Sequence, residues 1–130
     1  MTDLQTALLL NTGLLAALLL AQPLIRAANL GLPYAMGSLD ENKTEGRFAG
    51  RLKRAANNQI EALALLVPLV FLITDIDSTI AASFWSMLFT VVRFSYVLAA
   101  IGGIPYIRSG LWLTGIGALG FLASELVTKL

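Results

Sequence analysis

The residues with the most chemistry in this chain stand between positions 51 and 61, RLKRAANNQIE, at the mouth of an apolar segment running from Ala62 to Ile73. On an α-helix advancing about 100° per residue, Arg51, Arg54, Asn58 and Glu61 fall within an arc of roughly 80°, so their polar ends can converge. Two guanidiniums can fork onto a carboxylate, the amide can donate and accept, and the Glu61 carboxylate can accept from an ammonium. That inventory suits a zwitterionic, peptide-like ligand. The alternative is that the arginines snorkel to a membrane interface and the polar residues satisfy only water or backbone.

Further along, Arg93 interrupts an apolar run from Ile80 to Ile104, with Tyr96 one helical turn later. An Arg at the centre of a membrane helix costs about 2.5 to 3.5 kcal/mol on insertion scales, so Arg93 should face a bundle interior, a polar cavity or an anionic partner. It lies about ten residues, roughly 15 Å, from the turn at Gly102 to Pro105, which strains a snorkelling explanation. Arg26 near the end of the first apolar run, and Arg108-Ser109 after Pro105, complete the set of candidates.

The elements that must position these groups are membrane helices. Of 130 residues, 57% are hydrophobic and 13% charged, and the mean hydropathy of +0.77 is too high for an ordinary soluble domain. A span needs about 20 predominantly apolar residues, and the length accommodates four with short connections. The expectation is an all-α, integral membrane four-helix bundle forming a single domain over 1–130. The formal net charge of +1 supplies no basic surface for nucleic acid. With no Cys and no His, there is no basis for disulfides, thiolate-bound zinc or iron–sulfur clusters, His-ligated haem, or a Ser-His or Cys-His pair. No metal site is expected.

The first span covers Leu4 to Ala21 and continues to Asn29. The segment before it carries Asp3 and no Lys or Arg, unlike the basic start of a signal peptide. Gly31 to Gly50 is read as the principal polar loop; its Asp40-Glu41-Asn42 cluster lacks the ligand pattern of a calcium loop. The second span runs from about Arg51 to Thr74, with a bend expected at Pro68. Asp75 to Ser78 is a tight reversal with a helix cap at Asp77 or Ser78. The third span covers Ile80 to Ile104 and the fourth Gly110 to Val127. Lys43, Arg47, Arg51, Lys53 and Arg54 place the first loop on the cytoplasmic side, by the excess of Lys and Arg in such loops. Arg108 joins them, and both termini then face outward.

Arg54-Ala55-x-x-Asn58-x-x-Glu61 resembles the second-helix motif of the MAPEG family, the membrane-associated proteins of eicosanoid and glutathione metabolism, in a bacterial-type member. The resemblance covers most of the chain in its hydrophobic layout. It implies a homotrimer of four-helix subunits that binds glutathione as cosubstrate near the cytoplasmic side, between neighbouring subunits. Arg54 would then meet a glutathione carboxylate, Asn58 its polar backbone and Glu61 its amino group, with Arg51 matching a further family arginine. Arg93-x-x-Tyr96 resembles the family's Arg-x-x-Tyr or Arg-x-x-His pattern, which makes Tyr96 a ligand contact and Arg93 its buried support. Arg26 resembles a first-helix arginine that reaches a neighbour's site. Arg108-Ser109 resembles the start of the fourth helix in the family's prostaglandin-forming synthases, where the pair lies at the glutathione sulfur. A cation or hydroxyl there stabilises a thiolate whose unperturbed pKa is about 8.5. A second tyrosine found in several family synthases is replaced by Ala100.

The expected function is a glutathione-dependent transferase or peroxidase in the bacterial inner membrane, activating the thiol for a lipophilic small-molecule electrophile or hydroperoxide that enters from membrane lipid. Arg108 and Ser109 would be the catalytic pair. The rival class is a non-enzymatic lipid-binding or scaffold protein on the same fold; the family's lipoxygenase-activating member has an altered acidic pattern in its second helix, whereas Arg54, Asn58 and Glu61 are all present here. A small transporter has little support, because no paired broken helices or internal repeat are visible.

Overall fold

The computed structural model describes residues 2–38, 46–74 and 80–129. Five helices follow one another: α1 (Asp3–Leu30), α2 (Leu32–Met36), α3 (Arg47–Thr74), α4 (Ile80–Gly102) and α5 (Pro105–Lys129). All but α2 are long and apolar enough to cross a membrane. No strand occurs among the described residues. The expected reversal at Asp75 to Ser78 and the Asp40 to Asn42 cluster lie outside the described residues.

Local chemistry accounts for the helix ends. Thr2 and Gln5 form a reciprocal cap on α1, the Thr2 hydroxyl accepting from the Gln5 amide at 3.2 Å and the Gln5 side chain accepting from the Thr2 amide at 3.0 Å, which satisfies donors that the first turn leaves orphaned. α4 closes on a Schellman turn: the Gly103 amide donates to the Ala100 carbonyl at 3.2 Å and the Ile104 amide to Ala99 at 3.0 Å. Gly103 holds φ +74 there, a conformation that costs a residue with a Cβ. Pro105 then starts α5, its fixed φ and missing donor being suited to a first helical position.

Three boundaries differ from expectation. α5 begins at Pro105, five residues before Gly110, because the proline nucleates a helix across Tyr106-Ile107-Arg108-Ser109 that hydropathy alone discounts. α3 begins at Arg47, four residues before Arg51, since its polar first turns continue the helix out of the apolar stretch. The segment read as one loop contains α2, five residues with a proline near its start. α3 passes unbroken through Pro68.

α3 and α4 form the middle of the bundle. α1 packs on both and so does α5, with no close backbone approach between α1 and α5 among the described residues. The buried positions repeat in alternating steps of four and three: Leu52, Ala56, Gln59, Leu63, Leu66, Val70 and Ile73 along α3, and Ala82, Ser86, Phe89, Arg93, Tyr96 and Ala100 along α4. This is the seam of helices packed lengthwise against one another. Two apolar clusters occupy it. One contains Leu4, Leu66, Phe89 and Leu122; the other contains Leu18, Leu52, Ala56, Tyr96 and Val97. Between them lies a buried polar layer.

Candidate functional site

The polar layer is a continuous chain of hydrogen bonds across α4, α1 and α3. The Thr90 hydroxyl donates to the Ser86 carbonyl at 2.9 Å, and Asn11 Nδ2 donates to Thr90 Oγ1 at 3.0 Å and to the Ala7 carbonyl at 2.8 Å. Gln59 Nε2 donates to the Asn11 carbonyl and to Asn11 Oδ1, at 3.1 and 3.2 Å. Gln59 Oε1 then accepts from Arg93 Nε at 2.9 Å. Asn11, Gln59 and Ser86 are wholly enclosed, and Arg93 is 3% exposed. Without these partners each group would stand in an apolar interior at a cost of kilocalories, so the chain answers the expectation that Arg93 must face the bundle interior.

Arg93 also lies over the ring of Tyr96, 4.5 Å from the guanidinium carbon to the ring centre, within cation–π range. Tyr96 forms part of the wall of a cavity of about 570 Å³, which Arg54, Asn57, Asn58 and Glu61 of α3 and Arg108, Ser109, Trp112 and Leu113 of α5 complete. Its volume falls within the range of about 300 to 1,000 Å³ common for small-molecule sites. The helical register explains the set: Arg54, Asn58 and Glu61 recur on one face of α3, while Arg108, Ser109 and Trp112 share the first two turns of α5.

A smaller cavity of about 160 Å³ adjoins it, lined by Arg51, Arg54, Arg108 and the α4–α5 turn. Here the Arg51 guanidinium covers Gly103 so closely that a Cβ at that glycine would stand 2.5 Å from Arg51 Cζ. The positive φ at residue 103 calls for glycine, whereas the space above it is closed only by the movable end of the Arg51 side chain. Three guanidiniums face one carboxylate, Glu61, across these two cavities. Among the described residues no intramolecular hydrogen bond or ion pair engages the side chains of Arg54, Glu61 or Arg108. Charges left uncompensated at a membrane helix are available to a ligand or a neighbouring subunit.

Of the residues singled out in the sequence, Arg54, Asn58, Glu61, Tyr96, Arg108 and Ser109 share the large cavity. Arg51 stands in the adjoining one. Arg93 lines a third, narrower cavity behind Asn58 and Glu61, and Arg26 lines none of the three. Ser109 Oγ donates to the Pro105 carbonyl at 3.2 Å, which leaves its lone pairs free to accept. The sequence reading missed Asn57, Trp112 and Leu113 on the cavity wall, and it missed Asn11 and Gln59 behind it. A signal for Gln59 was present: it occupies a seam position between Ala56 and Leu63, where a polar residue must find a buried partner.

The chain matches the MAPEG family over residues 6–128. No curated protein and no solved structure matches it. The family match spans nearly the whole sequence, so the chain belongs to the MAPEG family. With four helices of spanning length, it is an integral membrane protein.

Proposed function

We propose that this MAPEG member is a glutathione-dependent transferase or peroxidase, and that its 570 Å³ cavity holds the tripeptide. The single observation that carries the reading is the meeting of Arg54, Asn58 and Glu61 of α3 with Arg108 and Ser109 of α5 on one cavity wall. Glutathione has two carboxylates, one ammonium and a thiol. Arg54 and Arg51 complement carboxylates, Glu61 complements the ammonium, and Asn58 can pair with a peptide group. Arg108 then supplies the cation that stabilises a thiolate, with the Ser109 hydroxyl as a supporting polar contact and Tyr96 as a further ligand contact.

The thiolate so formed, its proton released to solvent, forms a C–S bond with a lipophilic electrophile drawn from the bilayer, which expels its leaving group or takes up a proton. With a hydroperoxide it instead cleaves the O–O bond to give the alcohol and a glutathione sulfenic acid, which a second glutathione converts to the disulfide and water. Arg108 contributes by favouring the charged sulfur over the neutral thiol, which lowers the barrier to attack. The cavity is open on one side, with Arg54 and Glu61 exposed. A homotrimer would cover that face, and the resemblance of Arg26 to a first-helix family arginine supports its completing a neighbour's site there. The cytoplasmic placement of the Arg54 and Arg108 end, and residence in a bacterial inner membrane, belong to the same proposal.

Glutathione titration of the purified protein, followed by ultraviolet absorbance of the thiolate, tests the reading. Saturable thiolate formation at neutral pH is expected. Absence of any binding by calorimetry overturns the glutathione assignment, whereas binding without thiolate overturns only the role of Arg108.

A further inference from the structure

The smaller cavity, about 160 Å³, brings Arg51 and Arg54 of α3 together with Arg108 of α5. The rest of its wall is Ala100 and the turn Gly103-Ile104-Pro105, so no carboxylate faces the three guanidiniums there. Among the described residues, none of the three side chains makes an intramolecular hydrogen bond or ion pair. Like charges gathered at the end of a membrane bundle and left uncompensated call for an anion. The α4–α5 turn joins two helices of membrane-spanning length, so the cavity stands where the hydrocarbon ends and the headgroups begin.

We propose that this cavity binds the phosphate of an anionic phospholipid. Shape selects phosphate over carboxylate. A carboxylate presents its oxygens along one edge, whereas a tetrahedral phosphate presents them in several directions and can accept from guanidiniums on two helices at once. The volume is about that of five waters at roughly 30 Å³ each, which suits a phosphorus with its oxygens. The rim selects the source. Ile104 and Ile107, three residues apart on α5, are 45% and 58% exposed, and the exposed Tyr106 lies between them. Free phosphate gains nothing from these side chains. A glycerol ester and the start of its acyl chains can lie against them, at the interfacial depth that tyrosines favour.

Arg54 and Arg108 also line the larger cavity. A phosphate bound here neutralises cations offered to whatever fills that one, so the two occupants oppose each other's binding. On the glutathione reading, the lipid is a resting counterion that the tripeptide must displace, and glutathione affinity then depends on the anionic lipid content of the membrane. The phosphate assignment itself rests on the three guanidiniums and the apolar rim, and it stands without that reading.

The test uses no thiol, so its failure is separate from failure of the glutathione reading. Purified, delipidated protein in mild detergent, at one ionic strength, is titrated with dioctanoyl phosphatidylglycerol or dioctanoyl phosphatidylcholine, and native mass spectrometry counts the lipids each chain retains. Inorganic phosphate is added as a competitor. Phosphatidylglycerol should be retained saturably, about fivefold or more tighter than phosphatidylcholine, whose ammonium the arginines repel. Inorganic phosphate should displace it only at about tenfold higher concentration or more, because it lacks the apolar contacts. Arg51→Gln should weaken retention by about tenfold or more, the loss of a charge-assisted contact. Lys53→Gln removes the same charge from a neighbouring exposed position that lines none of the three cavities, and it should change affinity by about twofold or less. Ile104→Glu sets a carboxylate on the rim and should abolish retention with all three arginines intact, which decides the matter if Arg51→Gln does not fold. Equal retention of the two lipids, displacement by inorganic phosphate at equal concentration, a loss in Lys53→Gln as large as in Arg51→Gln, or retention that survives Ile104→Glu overturns the proposal.

Discussion

Replacing Gln59 by leucine keeps roughly the side-chain volume and removes the central link of the buried polar chain. Arg93 Nε loses its acceptor at 2.9 Å, and Asn11 Oδ1 loses a donor at 3.2 Å. The first is a hydrogen bond to a charged group, worth about 1.5 to 3 kcal/mol, and the second a neutral one at about 0.5 kcal/mol in a membrane interior. Gln59→Leu should therefore destabilise the fold by about 2 to 3.5 kcal/mol. Arg93→Met breaks the same bond and the stacking on Tyr96, about 1 kcal/mol, but it also removes a cation whose insertion costs about 2.5 to 3.5 kcal/mol. Its net effect should stay within about 1 kcal/mol of zero, because an unpaired buried charge is worse than no charge. The double variant should then resemble Arg93→Met, giving a coupling of about 2 kcal/mol between the two positions. Reversible unfolding in mixed micelles, titrated with a denaturing detergent and followed by helical circular dichroism, measures all three. If the two single effects simply add, or if Arg93→Met is the more damaging, the view of Gln59 as the compensating partner of a buried charge is wrong.

Other consequences are open to direct measurement. Arg54→Ala or Glu61→Ala should lower glutathione affinity by about one to two decades, the worth of a charge-assisted contact, whereas Arg108→Ala should retain much of the binding and suppress thiolate absorbance and turnover. Unchanged binding in all three variants, each shown to be folded, would remove the cavity as the glutathione site. Gly103→Ala places a Cβ at φ +74 against the Arg51 guanidinium; it should cost about 1 to 3 kcal/mol, with a lowered melting temperature, and displace Arg51. Single cysteines at positions Ser38 and Ser78 should label from opposite membrane faces, Ser38 from the cytoplasmic one; labelling of both from the same face contradicts the four-span topology.

What the sequence determined by itself follows from sums along the chain and from fixed helical geometry. Low charge and long apolar runs require membrane helices wherever they occur, and 100° per residue puts Arg54, Asn58 and Glu61 on one face of α3 whatever surrounds it. The need for Arg93 to be shielded is likewise a property of one charge in one apolar run. Which groups shield it is not, because Asn11 and Gln59 are separated from it by 82 and 34 positions in a sequence whose spacing carries no record of which seam faces which. Neither does hydropathy report that Pro105 starts α5, so that Arg108 and Ser109 stand on a helix turned towards α3 instead of in a connection. The cavities exist only where three helices fail to close completely, and the buried atoms Arg93 Nη2 and Asn58 Oδ1 are orphaned only where packing seals them from a partner. Packing between distant segments, decided by volume and by the demand that every buried polar group find a partner, belongs to the tertiary structure alone.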